Sequence, residues 1–222
     1  GEWQVRALVV SPRTAEISGE ITARILSMPT RIGTRITKGK PLVQFDCALY
    51  RAQLAEAQAD YAGAKSKLEA KKELSSLKAA GRLELEVATA EFQNAEARVR
   101  SARVFVNRCQ VPAPFDGVVV ALHAKPHESL SSGEPLLEIL DDSVLQIDLV
   151  VSSSWLRWLK TGTKLKMHVD EISQDIAATV VAINGRVDAV SQTVNLIAEI
   201  DDKPADLIAG MSGTARFSPP DE

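Results

Sequence analysis

The 222-residue sequence predicts an elongated mixed β and α protein. A duplicated β-sandwich is interrupted by a long antiparallel helical hairpin and followed by a second all-β stretch with one short helix. Three observations carry that prediction. Between residues 47 and 110 proline is absent and glycine falls to Gly63 and Gly81, in a stretch rich in the strong helix formers Ala, Leu, Glu, Lys, Gln and Arg. Apolar residues within it recur at alternating spacings of three and four, the pattern of a helical seam. The segments flanking it alternate polar and apolar positions, carry Gly and Pro punctuation, and repeat one another.

Residues 1–46 read as strands and turns. In the first helical arm the seam runs Cys47, Tyr50, Leu54, Ala57, Tyr61, Ala64, Leu68; in the second it runs Leu85, Ala88, Phe92, Ala95, Val99, Ala102, Val106, Cys109. Gly81 interrupts the insert, so the arms should fold back on each other. Folded about Lys78, Leu54 faces Ala102, Ala57 faces Val99, Tyr61 faces Ala95, Ala64 faces Phe92 and Leu68 faces Ala88. Large opposes small in each layer, which lets the axes approach without a cavity. The alternative is one long amphipathic helix on a globular core. Arms of about 30 residues would project roughly 45 Å. The same register sets Cys47 opposite Cys109 at the open base, close to the Cα separation a disulfide needs. In an oxidising compartment the pair should close a loop of about 60 residues, stabilising by roughly 4 kcal/mol. The alternative is two reduced cysteines packed as small hydrophobes.

The repeat matches Gly33–Asp46 with His127–Asp141, around Lys38-Gly39-Lys40-Pro41-Leu42 and Ser132-Gly133-Glu134-Pro135-Leu136. Each copy opens on a glycine before a β-branched run, at Gly19-Glu20-Ile21-Thr22 and Gly117-Val118-Val119-Val120. Neither copy can bury its own apolar face, so two related halves should make a small sandwich with the helices inserted at the turn between them. Residues 142–218 continue as β, with Val180-Val181-Ala182-Ile183 and a turn at Asn184-Gly185. Within them, residues 152–162 read as a short N-capped helix with a glycine stop.

Composition narrows the function. With net charge −3 and pI about 5.7, there is no basic field to draw nucleic acid. No apolar run approaches the roughly 18–20 residues of a membrane span, so any anchor is expected outside this chain. Two cysteines rule out a four-cysteine zinc site.

These features resemble the periplasmic adaptor, or membrane fusion protein (HlyD-like), family of bacterial efflux and secretion systems. Ile17-Ser18-Gly19-Glu20-Ile21 and Thr37–Leu42 resemble the first half of the family's split lipoyl-like domain. Ala113-Pro114-Phe115-Asp116-Gly117-Val118-Val119 resembles the opening of its second half. Residues 185–193 and Leu207-Ile208-Ala209-Gly210-Met211 resemble later strands of the adaptor β-barrel. The resemblance implies residues 15–46 and 111–141 as a lipoyl-like domain, 47–110 as the hairpin, 142–218 as the barrel and 219–222 as a tail. Residues 1–14 would be an N-terminal strand of the barrel or a remnant of a membrane-proximal domain. It further implies a periplasmic protein anchored at the inner membrane and assembled as a homo-oligomeric, commonly hexameric, ring. Such a ring joins an inner-membrane transporter to an outer-membrane channel and does no covalent chemistry.

The hairpin tip, Leu77, Lys78, Ala80, Gly81, Arg82, Leu83 and Glu84, is the expected partner contact. Positions that hold Arg, Leu and Ser in many tripartite-pump adaptors hold Glu73, Leu77 and Glu84 here, and Glu84 and Glu86 give the tip extra negative charge. Trp155 and Trp158 either plug one mouth of the barrel or offer an interface. No cofactor, metal or catalytic residue is expected. His123 and His127, with Glu128, are separated by Pro126 and read as solvated loop residues, and His168 falls in a strand. The turn on which a lipoyl or biotinyl carrier would present its lysine is occupied by the hairpin. An envelope scaffold or adhesion protein using the hairpin as a spacer is the alternative function.

Overall fold

The structure, a computed structural model, describes residues 3–218; the expected tail at 219–222 and the first two residues of the expected N-terminal strand lie outside the described residues. In chain order come β1 (Gln4–Val10), β2 (Thr14–Ser18), β3 (Ala23–Ser27), β4 (Arg35–Ile36) and β5 (Pro41–Phe45), then helices α1 (Ala48–Ser76) and α2 (Arg82–Asn107). They are followed by β6 (Gln110–Pro112), β7 (Gly117–Leu122), β8 (Ser129–Leu130), β9 (Pro135–Leu140), β10 (Gln146–Ser152), a short 3-10 helix (Ser153–Arg157), β11 (Lys164–Val169), β12 (Gln174–Ile183), β13 (Thr193–Ile200) and β14 (Ser212–Phe217). The chain forms two compact units, Gly1–Ala15 with Ile139–Glu222, and Glu16–Glu138.

The first unit is a closed six-stranded barrel, ordered β1-β10-β13-β12-β11-β14. Strand periodicity sends alternate residues inward: Ile147, Leu149 and Val151 from β10, Leu165, Met167 and Val169 from β11, Ala215 and Phe217 from β14. Each large side chain so buried contributes about 1.5–3 kcal/mol. β1 closes the barrel by pairing with β10 on one side and β14 on the other. On the other side of β14, against β11, the approach is tight at Gly213, because a Cβ there would collide with the carbonyl of His168.

The second unit contains two four-stranded sheets, β2-β9-β7-β4 and β6-β5-β3-β8. Each sheet takes two strands from before the helices and two from after, so the halves interleave instead of forming one sheet each. Exchanging β2 with β6, β3 with β7, β4 with β8 and β5 with β9 turns one sheet order into the other. The exchange is a constant shift of 94 positions, as from Gly33 to His127, and the hydrogen bonds obey it. Gly33 N donates to Val119 O as His127 N donates to Ile25 O; Gly39 N donates to Ala113 O as Gly133 N donates to Gly19 O; Val119 N donates to Thr34 O as Ile25 N donates to Glu128 O. The buried residues obey it too, pairing Ile25 with Val119, Leu42 with Leu136, Val43 with Leu137 and Phe45 with Ile139. The repeat is therefore phased differently at its opening from the sequence expectation. Gly19 corresponds to Ala113, and Gly117 to Ala23. Gly19 is small because the ring of Phe45 closes over it, 3.1 Å from where a Cβ would stand. His127 takes the left-handed conformation of its counterpart Gly33, at φ 74° against 80°.

Between the two halves, α1 and α2 run antiparallel. All fifteen seam positions are buried or half-buried. Tyr61 lies 5.2 Å from Phe92 and Tyr50 stacks on Phe105 at 5.8 Å, measured between ring centres. Aromatic rings thus meet each other diagonally as well as facing alanines. Cys47 and Cys109 form a disulfide at the base, with Cα atoms 6.0 Å apart. Around it, Arg108 pairs with Glu20 at 2.9 Å and the Tyr50 hydroxyl donates to Thr22 O. Asp46, just before α1, accepts from Ala48 N and pairs with Arg24; that backbone bond first, and then Arg24, hold its carboxyl below the ordinary range. At about 1.5 Å per residue, the 29 residues of α1 extend ~43 Å.

Candidate functional site

The tip is set by how α1 ends. Leu77 is its last half-helical residue, and Lys78 then turns left-handed at φ 58°. Lys78 N donates to Ser75 O at 3.0 Å and Ala79 N to Leu74 O at 2.8 Å. These are the two bonds of a Schellman stop, which satisfies the last helical carbonyls and usually places glycine where Lys78 stands. Gly81 has another role: at φ −74°, ψ 156° it is the extended N-cap of α2, with open space where a Cβ would be. The fold-back therefore pivots on Lys78, the point from which the register was counted, and not on the glycine.

This geometry leaves the leucines on either side of the turn uncovered. Leu77 is 70% exposed and Leu83 71%, and Leu74 and Val87 are also exposed. Lys78, Gly81, Arg82 and Glu84 are exposed and Ala80 half-buried. The acids are not loose charges. Glu84 is bridged by Lys71 of the opposite arm at 2.6 Å, which holds its carboxyl below the ordinary range, and Glu86 pairs with Arg82 at 3.4 Å. The negative excess expected at the tip is thereby offset by neighbours. Folding the sequence about Lys78 sets Glu84 against position 72, so the Lys71 pairing was within reach of the register.

The remaining candidates are dispersed. Trp155 and Trp158 are half-buried, their ring centres 5.9 Å apart, and both pack against Trp3 and Phe217 at one end of the barrel core. The Trp158 Nε1 is buried with no hydrogen-bond partner among the described residues. The short helix that carries Trp155 is capped by Ser152, whose Oγ accepts from Ser154 N. His168 lies on β11 and contacts Asp175 at 2.6 Å. His123 and His127 do not converge: His123 contacts Glu138 at 2.9 Å, while Glu128 accepts from Lys125 N. Among the described residues no helix is long and apolar enough to cross a membrane.

No protein-family model matches the chain. Over 105 residues, 47% of its length, it is 32% identical to the antibiotic efflux pump periplasmic linker protein ArpA of Pseudomonas putida, of which it spans 28%. It is 24% identical over 227 residues to an uncharacterized protein of Haemophilus influenzae, spanning 59% of that protein. Among solved structures, a MacA–MexA chimera containing the Pseudomonas aeruginosa MexA α-hairpin domain superposes with a TM-score of 0.82 at 19% identity, covering 99% of this chain and 83% of that one. The membrane fusion protein Spr0693 of Streptococcus pneumoniae gives 0.81 at 14% identity, covering 98% and 99%. The chain thus has the fold of these membrane fusion protein structures, and about half of its sequence is similar to that of the efflux-pump linker.

Proposed function

We propose that the chain is the working part of a periplasmic adaptor, a non-catalytic subunit that couples an inner-membrane transporter to an outer-membrane channel in an efflux or secretion pump. The observation that carries this reading is the stapled hairpin, which presents Leu77 and Leu83 to solvent at its tip, some 40 Å along the helices from the disulfide. Exposed apolar side chains on a rigid, polar-flanked stalk fit a recognition surface, not a core. The tip, Leu77 through Glu84, is the proposed contact with the channel. Its Glu84–Lys71 bridge takes the place of the hydroxyl found there in many tripartite adaptors, which favours a channel differing in detail from theirs.

In this reading the two 94-shifted sheets are the lipoyl-like domain, residues 15–46 and 111–141, and the barrel comprises β1 with residues 142–218. The interleaved, twofold-related strand order supports it. The assembled adaptor is a homo-oligomeric, commonly hexameric, ring held at the inner membrane by a segment outside this chain. Half-exposed edges of Trp155 and Trp158 are available to a neighbouring subunit. Complementation of a deletion strain tests the function. Leu77→Asp with Leu83→Asp should abolish export of the pump's substrate while leaving protein level and helix content unchanged. Wild-type export by that double variant would refute the tip as the contact. A deletion strain with damaged envelope and intact export would favour the scaffold role instead.

A further inference from the structure

We propose that Glu16, His123 and Glu138 form a surface site for one divalent metal ion of the zinc type, in the β2-β9-β7-β4 sheet and independent of the hairpin. The three residues come from neighbouring strands: Glu16 from β2, Glu138 from β9, His123 from the residue after β7. One ligand atom of each lies within 4.8 Å of the others. His123 Nε2 is 2.9 Å from Glu138 Oε1. Donors bound at about 2.0–2.2 Å to one ion stand roughly 3–3.5 Å apart, so small rotations of the two glutamates complete the set. The strands fix the Cα positions, and water can take the open positions because Glu16 and His123 are exposed.

The duplicated fold supplies an internal control. Shifted by 94, Glu16, Glu138 and His123 become Gln110, Gln44 and Pro29. Gln44 stands directly opposite Gln110 across β5 and β6. By the same relation Glu138 stands opposite Glu16, so one sheet sets two carboxylates where its twin sets two amides. Like charges directly opposite destabilise a sheet. The hydrogen bond to His123 accounts for Glu138 only: the Glu16 side chain makes no hydrogen bond or ion pair to any described residue. A bound cation accounts for both acids. The donor set selects its class, since an imidazole nitrogen with two carboxylates suits zinc, whereas magnesium and calcium prefer oxygen alone. Without a thiolate and with open positions, the site suits an exchangeable ion, not one needed for folding.

Calorimetric titration of the chelator-stripped full chain with zinc chloride alone tests this. The wild type should bind one zinc ion at this site, and Glu16→Gln and His123→Gln should each weaken that binding at least ~10-fold. His168→Asn, which alters the barrel's own histidine–carboxylate pair, should leave it unchanged. In metal-free protein, Glu16→Gln should melt no lower than wild type, because it removes a like-charge opposition from an exposed position. Zinc should raise the melting temperature of the wild type and not of Glu16→Gln. Unchanged zinc binding by Glu16→Gln, the same loss in His168→Asn, or magnesium bound as tightly as zinc would each overturn the assignment.

Discussion

Replacing Lys78 by glycine should stabilise the hairpin, and replacing Gly81 by alanine should do nothing, the reverse of what a reader of the sequence would choose. Lys78 is held at φ 58°, where its Cβ crowds the following carbonyl. An L-residue there costs about 1–2 kcal/mol. Glycine relieves that strain but gives back about 0.5–1 kcal/mol of chain entropy, so Lys78→Gly should gain about 0.5–1 kcal/mol. Gly81 has an ordinary extended φ and nothing within 4 Å of a prospective Cβ. Alanine there loses a good N-cap conformer and gains chain stiffness, leaving a change of about ±0.5 kcal/mol. Urea unfolding followed at 222 nm reads the helical unit directly, and a gain of about 1 kcal/mol corresponds to roughly 2–4 °C in Tm. If Lys78→Gly lowered stability and Gly81→Ala cost about 1 kcal/mol, the left-handed residue would be Gly81 and the Schellman assignment would fall.

Three other outcomes are expected. Reducing the Cys47–Cys109 disulfide, which spans 62 positions, should cost the Glu16–Glu138 unit about 4 kcal/mol by loop closure; denaturant curves with and without reductant check it, and a loss under about 1 kcal/mol would contradict the staple. His127→Gly should raise stability by about 0.5–1 kcal/mol while Gly33→Ala lowers it by about 1 kcal/mol, because the two positions share one left-handed conformation; opposite signs in thermal melts would break the 94-position equivalence. Asp141 is buried, bonded to Ser143 and paired with Arg13 at 3.3 Å, and the Ser143 hydroxyl first among these holds its carboxyl below the unfolded value of 3.8. A depressed carboxyl stabilises above its unfolded pKa and loses that contribution as pH falls through its folded one. Asp141→Asn should therefore weaken the barrel at neutral pH, and the gap to wild type should close as pH falls below 3.8 in melts across pH 2–7.

What was legible in the sequence follows from how local each signal is. The hairpin was readable almost residue by residue, since a three–four seam needs only one helix, and large-against-small matching fixed the register that brings Cys47 to Cys109. The register placed the fold-back at Lys78, but its left-handed conformation was not legible, because glycine is the usual left-handed residue and Lys78 shows no mark of strain in its letters. The repeat was visible in the Gly-Lys-Pro-Leu and Gly-Glu-Pro-Leu turns. Its opening was misphased because Gly19 and Gly117 look alike, although one makes room for Phe45 and the other begins a strand. Interleaving of the halves left no trace, since strand pairing is a long-range choice. For the same reason Glu16 and Glu138, far from His123 in the chain, drew no attention, and His123 was read only with its sequence neighbours His127 and Glu128.

The adaptor reading is tested most directly by photo-crosslinking from the tip in intact cells. A photoreactive residue at position 77 or 83 should trap an outer-membrane channel protein, and the same residue at position 65, mid-arm and exposed, should not. Crosslinks from 77 and 83 that reach only other copies of this chain or soluble periplasmic proteins would contradict the account.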